Sequence, residues 1–178
     1  MCTPHFSVYL SLGGNLENSL QTLQNSLKEI ASIPNVKIVK ISRFYQTAPV
    51  GNKQQPDFIN LACHLSTSLS PKALQHALQC IEIKMGKTPK PRNAPRIIDI
   101  DLLFYESLQY HDIELEIPHP RWKERLFVLI PLLDLISEIT LNESGHMKKY
   151  FIQDLIALLD PIDQTIVRIS MENNAHLY

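Results

Sequence analysis

The chain lacks most of the features that assign a protein quickly. Its cysteines are Cys2, Cys63 and Cys80, an odd number with no CxxC pair. Neither a disulfide framework nor a zinc site is implied. Cys63 and Cys80 lie in apolar-periodic segments and read as buried structural thiols. Charge of one sign is also missing in excess. The net charge is -1, which gives no global pull toward nucleic acid or an anionic membrane. An anionic ligand would have to be held by a local cluster of bases. Aromatic residues make up 7% and form no RRM-type motif, which argues against an RNA-binding surface. No apolar run approaches the ~20 residues of a membrane span, and the opening MCTPHFSVYLSLGG is too short and polar for a signal peptide. The expected compartment is the reducing cytoplasm. No GxxxxGK[ST] loop or protein-kinase signature occurs. The seven scattered histidines give no Ser-His-acid triad.

What is present suits one packed domain over residues 1–178, with 44% hydrophobic residues. Residues 6–12 are aromatic and β-branched, a strand bounded by Gly13-Gly14-Asn15. Leu16, Leu20, Leu23, Leu27 and Ile30 recur at helical spacing over residues 17–33, with Asn15 as the expected cap and Pro34 as the stop. Residues 36–44 read as a second strand and 57–67 as a third, separated by an irregular loop over 46–56. Ser70 and Pro71 open a helix that runs to about Met85 and stops at Gly86. A basic loop over 86–96 precedes an apolar strand over 97–105. Beyond it the spacing predicts a short edge strand at 115–117, helices at 127–136 and 149–159, and a last strand at 165–169. Strand, helix, strand, strand, helix, strand is the order of a ferredoxin-like α+β sandwich, an antiparallel sheet with helices packed on it. That fold hosts many functions.

Asp99 and Asp101 are the sharpest chemical feature. Positions i and i+2 of a strand share a face, about 6.5–7 Å apart, so the two carboxylates can grip hard cations together. Solvated acids or ion pairs with nearby bases are the plain alternative. Lys87, Lys90, Arg92 and Arg96 lie just upstream, and bases beside such a pair suit a polyphosphate. Gly13-Gly14-Asn15 at a strand-to-helix junction offers a weaker phosphate signal, and an ordinary glycine turn explains it as well.

The stretch Arg92-Asn93-Ala94-Pro95-Arg96-Ile97-Ile98-Asp99-Ile100-Asp101-Leu102-Leu103 resembles the signature of the 6-hydroxymethyl-7,8-dihydropterin pyrophosphokinases. Four further stretches resemble that family in order. They are Ser11-Leu12-Gly13-Gly14-Asn15-Leu16, Tyr45-Gln46-Thr47-Ala48-Pro49-Val50-Gly51, Gln55-Pro56-Asp57-Phe58-Ile59-Asn60, and Pro118-His119-Pro120-Arg121 with Arg125 and Phe127. The resemblance covers about residues 7–135 and implies pyrophosphoryl transfer from ATP to a reduced pterin in folate synthesis.

It further implies that Asp99 and Asp101 hold two magnesium ions and that Arg92 and Arg96 act on the transferring phosphates. Gln79, Glu82, Lys87, Lys90, Ile100, His119 and Arg125 would join them along ATP. Thr47, Pro49, Val50, Phe58, Asn60 and Phe127 would hold the pterin. The implied partners are small molecules, with no nucleic acid and no membrane, and the implied state is a monomer. Two positions depart from the family's usual pattern. Lys87 stands where Arg is frequent, and a lysine lacks the guanidinium fork; Asn93 stands where Trp is frequent. Two rivals stay open on the residues alone: a two-metal nucleotidyltransferase, and a non-catalytic ferredoxin-like binding module.

Overall fold

A computed structural model gives the structure of the chain and describes residues 4–16, 18–49, 54–89, 91, 94–160 and 165–170. The first half runs β1 (Phe6–Gly14), α1 (Ser19–Ala31), β2 (Val36–Ile41), β3 (Tyr45–Thr47), β4 (Phe58–Thr67), α2 (Pro71–Lys84) and β5 (Asp99–Tyr105). Then come β6 (Tyr110–His111), β7 (Glu116–Ile117), a 3-10 turn (Trp122–Glu124), α3 (Leu126–Leu133), β8 (Glu138–Glu143), β9 (His146–Phe151), α4 (Ile152–Ala157) and β10 (Ile166–Arg168). The main sheet has the order β10-β3-β4-β1-β5, with β2 also paired to β4. Every pairing in it is antiparallel. With β2 and β3 sharing one edge of β4, this is the expected α+β sandwich. Among the described residues no helix is long and apolar enough to cross a membrane.

Strand alternation sorts the two faces. Val8, Leu10 and Leu12 of β1, Leu61, Cys63 and Leu65 of β4, and Ile98, Ile100 and Leu102 pack with Leu23, Leu27 and Ile30 of α1 and Leu74, Leu78 and Ile81 of α2. A second cluster on the other face joins Leu103, Phe104, Trp122, Val128, Leu129, Leu132, Leu141, Tyr150 and Ile152. The β1–β5 register shifts between Tyr9, opposite Phe104, and Leu10, opposite Leu102. Leu103 is thus the extra residue of a bulge. It puts Leu103 and Phe104 in the same cluster and returns Tyr105 to the α1–α2 side.

Several boundaries differ from the expected ones. Gly13 and Gly14 are not a turn but the end of β1, paired with Asn60 and Ile59. Asn18, not Asn15, precedes α1, at φ 60 and with no side-chain cap, and the Asn15 side chain is engaged elsewhere. Ser70 caps α2 by accepting from the Ala73 N–H, and Gly86 ends it at φ 95, both as the sequence indicates. The expected helix over 149–159 is instead the end of a β8–β9 hairpin followed by the short α4. Ser144 and Gly145, at φ 53 and 86, make its two-residue turn, the left-handed pair that suits a hairpin's twist. Cys63 is buried, and desolvation pushes its thiol up to about 12. Cys80 is exposed, off the Leu74, Leu78, Ile81, Glu82 stripe that α2 buries.

Gly14 closes against the basic-loop end. A Cβ there would overlap the Ile97 carbonyl oxygen, a backbone atom with little room to move. Gly14→Ala should lower stability by about 1–3 kcal/mol, the usual cost of overpacking. Urea denaturation reads this directly, and an unshifted midpoint would contradict the close approach.

On the α3 face, far along β1 from Gly13, the Ser7 hydroxyl and His64 Nε2 are 2.7 Å apart. Tyr9 stacks on the imidazole at 4.5 Å. Burial lowers the His64 pKa below its ordinary 6.5, with Lys40 adding to the effect and Glu106 opposing it. The unfolded chain therefore binds the proton more readily, and stability is lost as pH falls through 6.5 toward the folded value. The melting temperature of His64→Gln should fall less than that of the parent between about pH 7.5 and about pH 5.5. Parallel declines would remove His64 from the acid response.

Candidate active site

Three adjacent strands build the floor of the site. Gly13 of β1 lies opposite Asn60 of β4 on one side and opposite Asp99 of β5 on the other. Ser11 lies likewise between Ala62 and Asp101. Residues directly opposite one another share a face, so Asn60, Asp99 and Asp101 look out over a floor of small residues. Gly13 is needed there because a Cβ would overlap Asn60 Oδ1. The same face carries the second core further along, with α3 lying over β3 and β4.

Asp99 and Asp101 emerge from β5 half-exposed, while Ile98, Ile100 and Leu102 point into the α1–α2 core. Lys87 Nζ lies 2.7 Å from Asp99 Oδ1 and 2.7 Å from Glu82 Oε1. Glu82 is only 6% exposed. Its carboxylate also accepts the Ile100 N–H at 2.7 Å, capping the open edge of β5. Burial raises the Glu82 pKa, and the Lys87 ammonium and Ile100 N–H pull it back down. On the other side, His119 Nε2 and Arg125 Nη1 approach Asp101 Oδ2 at 4.0 and 3.7 Å. Burial lowers the His119 pKa, so the neutral imidazole is favoured despite the Asp101 charge. His119 follows a cis Ile117–Pro118 bond, and its N–H donates to the Leu103 carbonyl at 2.9 Å.

Gln79 sits exposed on α2, one turn before Glu82. Arg96 is half-buried at the end of the basic loop, its guanidinium donating to the Pro91 carbonyl at 3.3 Å. Its backbone is fixed by Asn15. The Arg96 N–H donates to Asn15 Oδ1 at 2.8 Å, and the Arg96 carbonyl accepts from the Asn15 N–H at 2.9 Å. Asn15 Nδ2 reaches across to Gln55 Oε1 at 3.1 Å and the Pro56 carbonyl at 3.0 Å. Asn15, 2% exposed, thus ties the ends of both loops together. Reading it as a cap missed this role, since nothing in its local spacing points forty residues down the chain.

On the β4 side, Asn60 Nδ2 donates to Thr47 Oγ1 at 2.8 Å, and both residues are 3% exposed. Thr47 lies opposite Phe58 in the β3–β4 pairing. Pro49 is buried and Phe58 half-buried. Phe127, on α3, is half-buried, with the Arg125 guanidinium 5.6 Å from its ring centre. Val50, Lys90, Arg92 and Asn93 lie outside the described residues.

Among the described residues no group of three or more His, Cys, Asp or Glu forms a complete metal cage. The two aspartates offer hard oxygens on one face, a partial set of the kind magnesium completes with phosphates and water. The Lys87 ammonium against Asp99 shows that a cation fits this position.

Residues 9–137 match the family described as "7,8-dihydro-6-hydroxymethylpterin-pyrophosphokinase (HPPK)". The 2-amino-4-hydroxy-6-hydroxymethyldihydropteridine pyrophosphokinase of Haemophilus influenzae is 35% identical over 158 residues, 87% of this chain and 99% of that protein. The folic acid synthesis protein fol1 of Pneumocystis carinii is 40% identical over 146 residues, 82% of this chain. The alignment spans only 20% of that fungal protein. The HPPK-DHPS protein of Plasmodium falciparum shares the fold, with a TM-score of 0.68 over 88% of this chain and 43% of its own, at 16% identity. With most of its length matched to one family and its relatives agreeing, the chain belongs to the 7,8-dihydro-6-hydroxymethylpterin-pyrophosphokinase family.

Proposed function

We propose that this chain moves a pyrophosphoryl group from ATP to the hydroxymethyl arm of 6-hydroxymethyl-7,8-dihydropterin, leaving AMP and the pterin diphosphate, in folate synthesis. One observation carries the reading to this site. Asn60 and Asp99 flank Gly13 in register, so an amide suited to a pterin edge and a carboxylate suited to phosphate-bound cations share one floor. Strands are about 4.8 Å apart, which places the two backbones about 10 Å apart across Gly13, near the span of a small bicyclic ring and its arm.

Asn60 both donates and accepts, as the mixed edge of a pterin requires. Its bond to Thr47 fixes which way the amide points. Phe58 and Phe127 offer flat faces to the ring, and Pro49 with the backbone at Val50 would close the edge. Gln79, Glu82 and the Ile100 backbone lie along the nucleotide side. The Ile100 N–H is held by Glu82, while its carbonyl points to the same open strand edge. Lys87, Lys90, Arg92, Arg96, His119 and Arg125 would meet the phosphates. Asp99 and Asp101 would hold magnesium, two ions in this reading, which would offset phosphate charge as it shifts during transfer. Action as a monomer and the cytoplasm as the compartment are proposed with this reading.

The test is incubation with ATP, magnesium and hydroxymethyl-dihydropterin. AMP formed in step with pterin diphosphate is the expected result. Release of free pyrophosphate would instead support nucleotidyl transfer by the same acid pair.

Asp99→Ala and Asp101→Ala should each abolish most turnover and keep the parent's circular dichroism, because one metal-ligating carboxylate is gone while the sheet is not. Near-normal rates at saturating magnesium would sink the metal assignment.

Phe127→Ala and Asn60→Ala should weaken pterin binding more than ATP binding. A loss of about 1–3 kcal/mol is the scale for a buried polar partner left unpaired. Calorimetry showing equal losses for both ligands would make these residues part of the scaffold only.

A further inference from the structure

Lys87 departs from the family's usual arginine, and its surroundings give the departure a purpose. The ammonium lies 2.7 Å from Asp99 Oδ1 and 2.7 Å from Glu82 Oε1, with the Lys87 side chain 27% exposed. The residue is tethered just past the end of α2, where its N–H donates to the Glu82 carbonyl at 2.9 Å. Gly86, at φ 95, makes the turn that folds it back. A lysine is a compact charge with three donors on a flexible stem. It can bridge two carboxylates and leave again without disturbing a planar, bidentate contact.

Three carboxylates crowd this corner of the sheet: Glu82, Asp99 and Asp101. Without a cation, Glu82 and Asp99 would repel each other, and the Asp99 charge does act against ionised Glu82. We infer that Lys87 is a resident stand-in for the divalent cation at Asp99. Metal binds there by displacing the ammonium, and the freed Lys87 becomes available to the phosphates. This inference rests on the reading of Asp99 and Asp101 as metal ligands. It assigns Lys87 a positioning role before catalysis: the ammonium offsets part of the carboxylate charge when the site is empty, and the metal meets a competitor on entry.

Equilibrium binding of Mn2+ to the nucleotide-free protein, followed by the electron paramagnetic resonance of the free ion, gives the first readout. Lys87→Met should tighten Mn2+ binding by about fivefold or more, the scale of removing one nearby unit charge in a partly exposed site. Lys87→Arg should restore competition at least in part. The second readout separates displacement from a charge acting at a distance. In protein labelled with 15N at lysine Nζ, Mg2+ titration should shift the Lys87 ammonium resonance, with a midpoint equal to the metal dissociation constant. Asp99→Ala should abolish both the Mn2+ binding and the shift. Unchanged Mn2+ affinity in Lys87→Met, with binding still dependent on Asp99, overturns the inference and leaves the metal reading standing. Tighter binding with a Lys87 resonance indifferent to Mg2+ overturns it as well. Mn2+ binding undiminished in Asp99→Ala overturns the metal reading and this inference together, whereas binding absent from both the parent and Lys87→Met overturns this inference alone, since the aspartates are a partial set that phosphates complete.

Discussion

Three strands meet at Gly13, and the missing side chain there leaves the volume that Asn60 fills. Asn60 can then lie flat against β1 and bond Thr47, so its amide is buried yet directed. One residue further on, Gly14 lets the Ile97 carbonyl come close, which brings the end of the basic loop onto the strand. Asn15 secures that approach with hydrogen bonds to Arg96 and then holds Gln55 and Pro56 with its amide nitrogen. Three consecutive residues of β1 and its exit therefore set the floor, the loop approach and the bridge between loops. Gly13 and Gly14 work through backbone proximity, where a larger side chain would separate what they now join, and Asn15 works through its side-chain amide.

The electrostatics follow from that geometry. Glu82, Asp99 and Asp101 are answered among the described residues by Lys87 on one flank and Arg125 on the other. His119 contributes little positive charge, since burial favours its neutral form. In the proposed reading, divalent ions on Asp99 and Asp101 would add to this positive charge and favour an arriving triphosphate, and the weak overall charge of the chain, -1, leaves this to local groups.

Much of this was legible from local chemistry. The strand-like run 57–67 and the apolar run 97–105 located β4 and β5, and the Ser70-Pro71 pair located α2 within a residue. The Asp99–Asp101 spacing gave their shared face because period two is a property of any strand. Long-range partners were not legible in the same way. Asn15 reads as a helix cap because its neighbours suit one, yet its hydrogen bonds go to Arg96, Gln55 and Pro56. The 149–159 segment spaces its apolar residues helically, but the left-handed Ser144-Gly145 turn commits it to a hairpin first. Cys80 shares an apolar-looking segment with Ile81, and only the direction of the α2 stripe shows that it faces outward. The bridging position of Lys87 depends on the fold bringing α2 beside β5, which no motif encodes.

The bulge at Leu103 makes β5 one residue longer than its alternation needs. Below it, odd-numbered residues form the wet floor; above it, the frame changes, and Phe104 takes the face that Asp99 and Asp101 use while Tyr105 takes the other. A chain shorter by Leu103 would leave Asp99, Asp101, Phe104 and Tyr105 on the faces they occupy now, at the cost of a void in the second core. Shortening β5 by one residue would thus keep the facing of the acid pair, because the extra residue lies downstream of it, and would act instead on the packing of the second core and on the Leu103 carbonyl that accepts the His119 N–H.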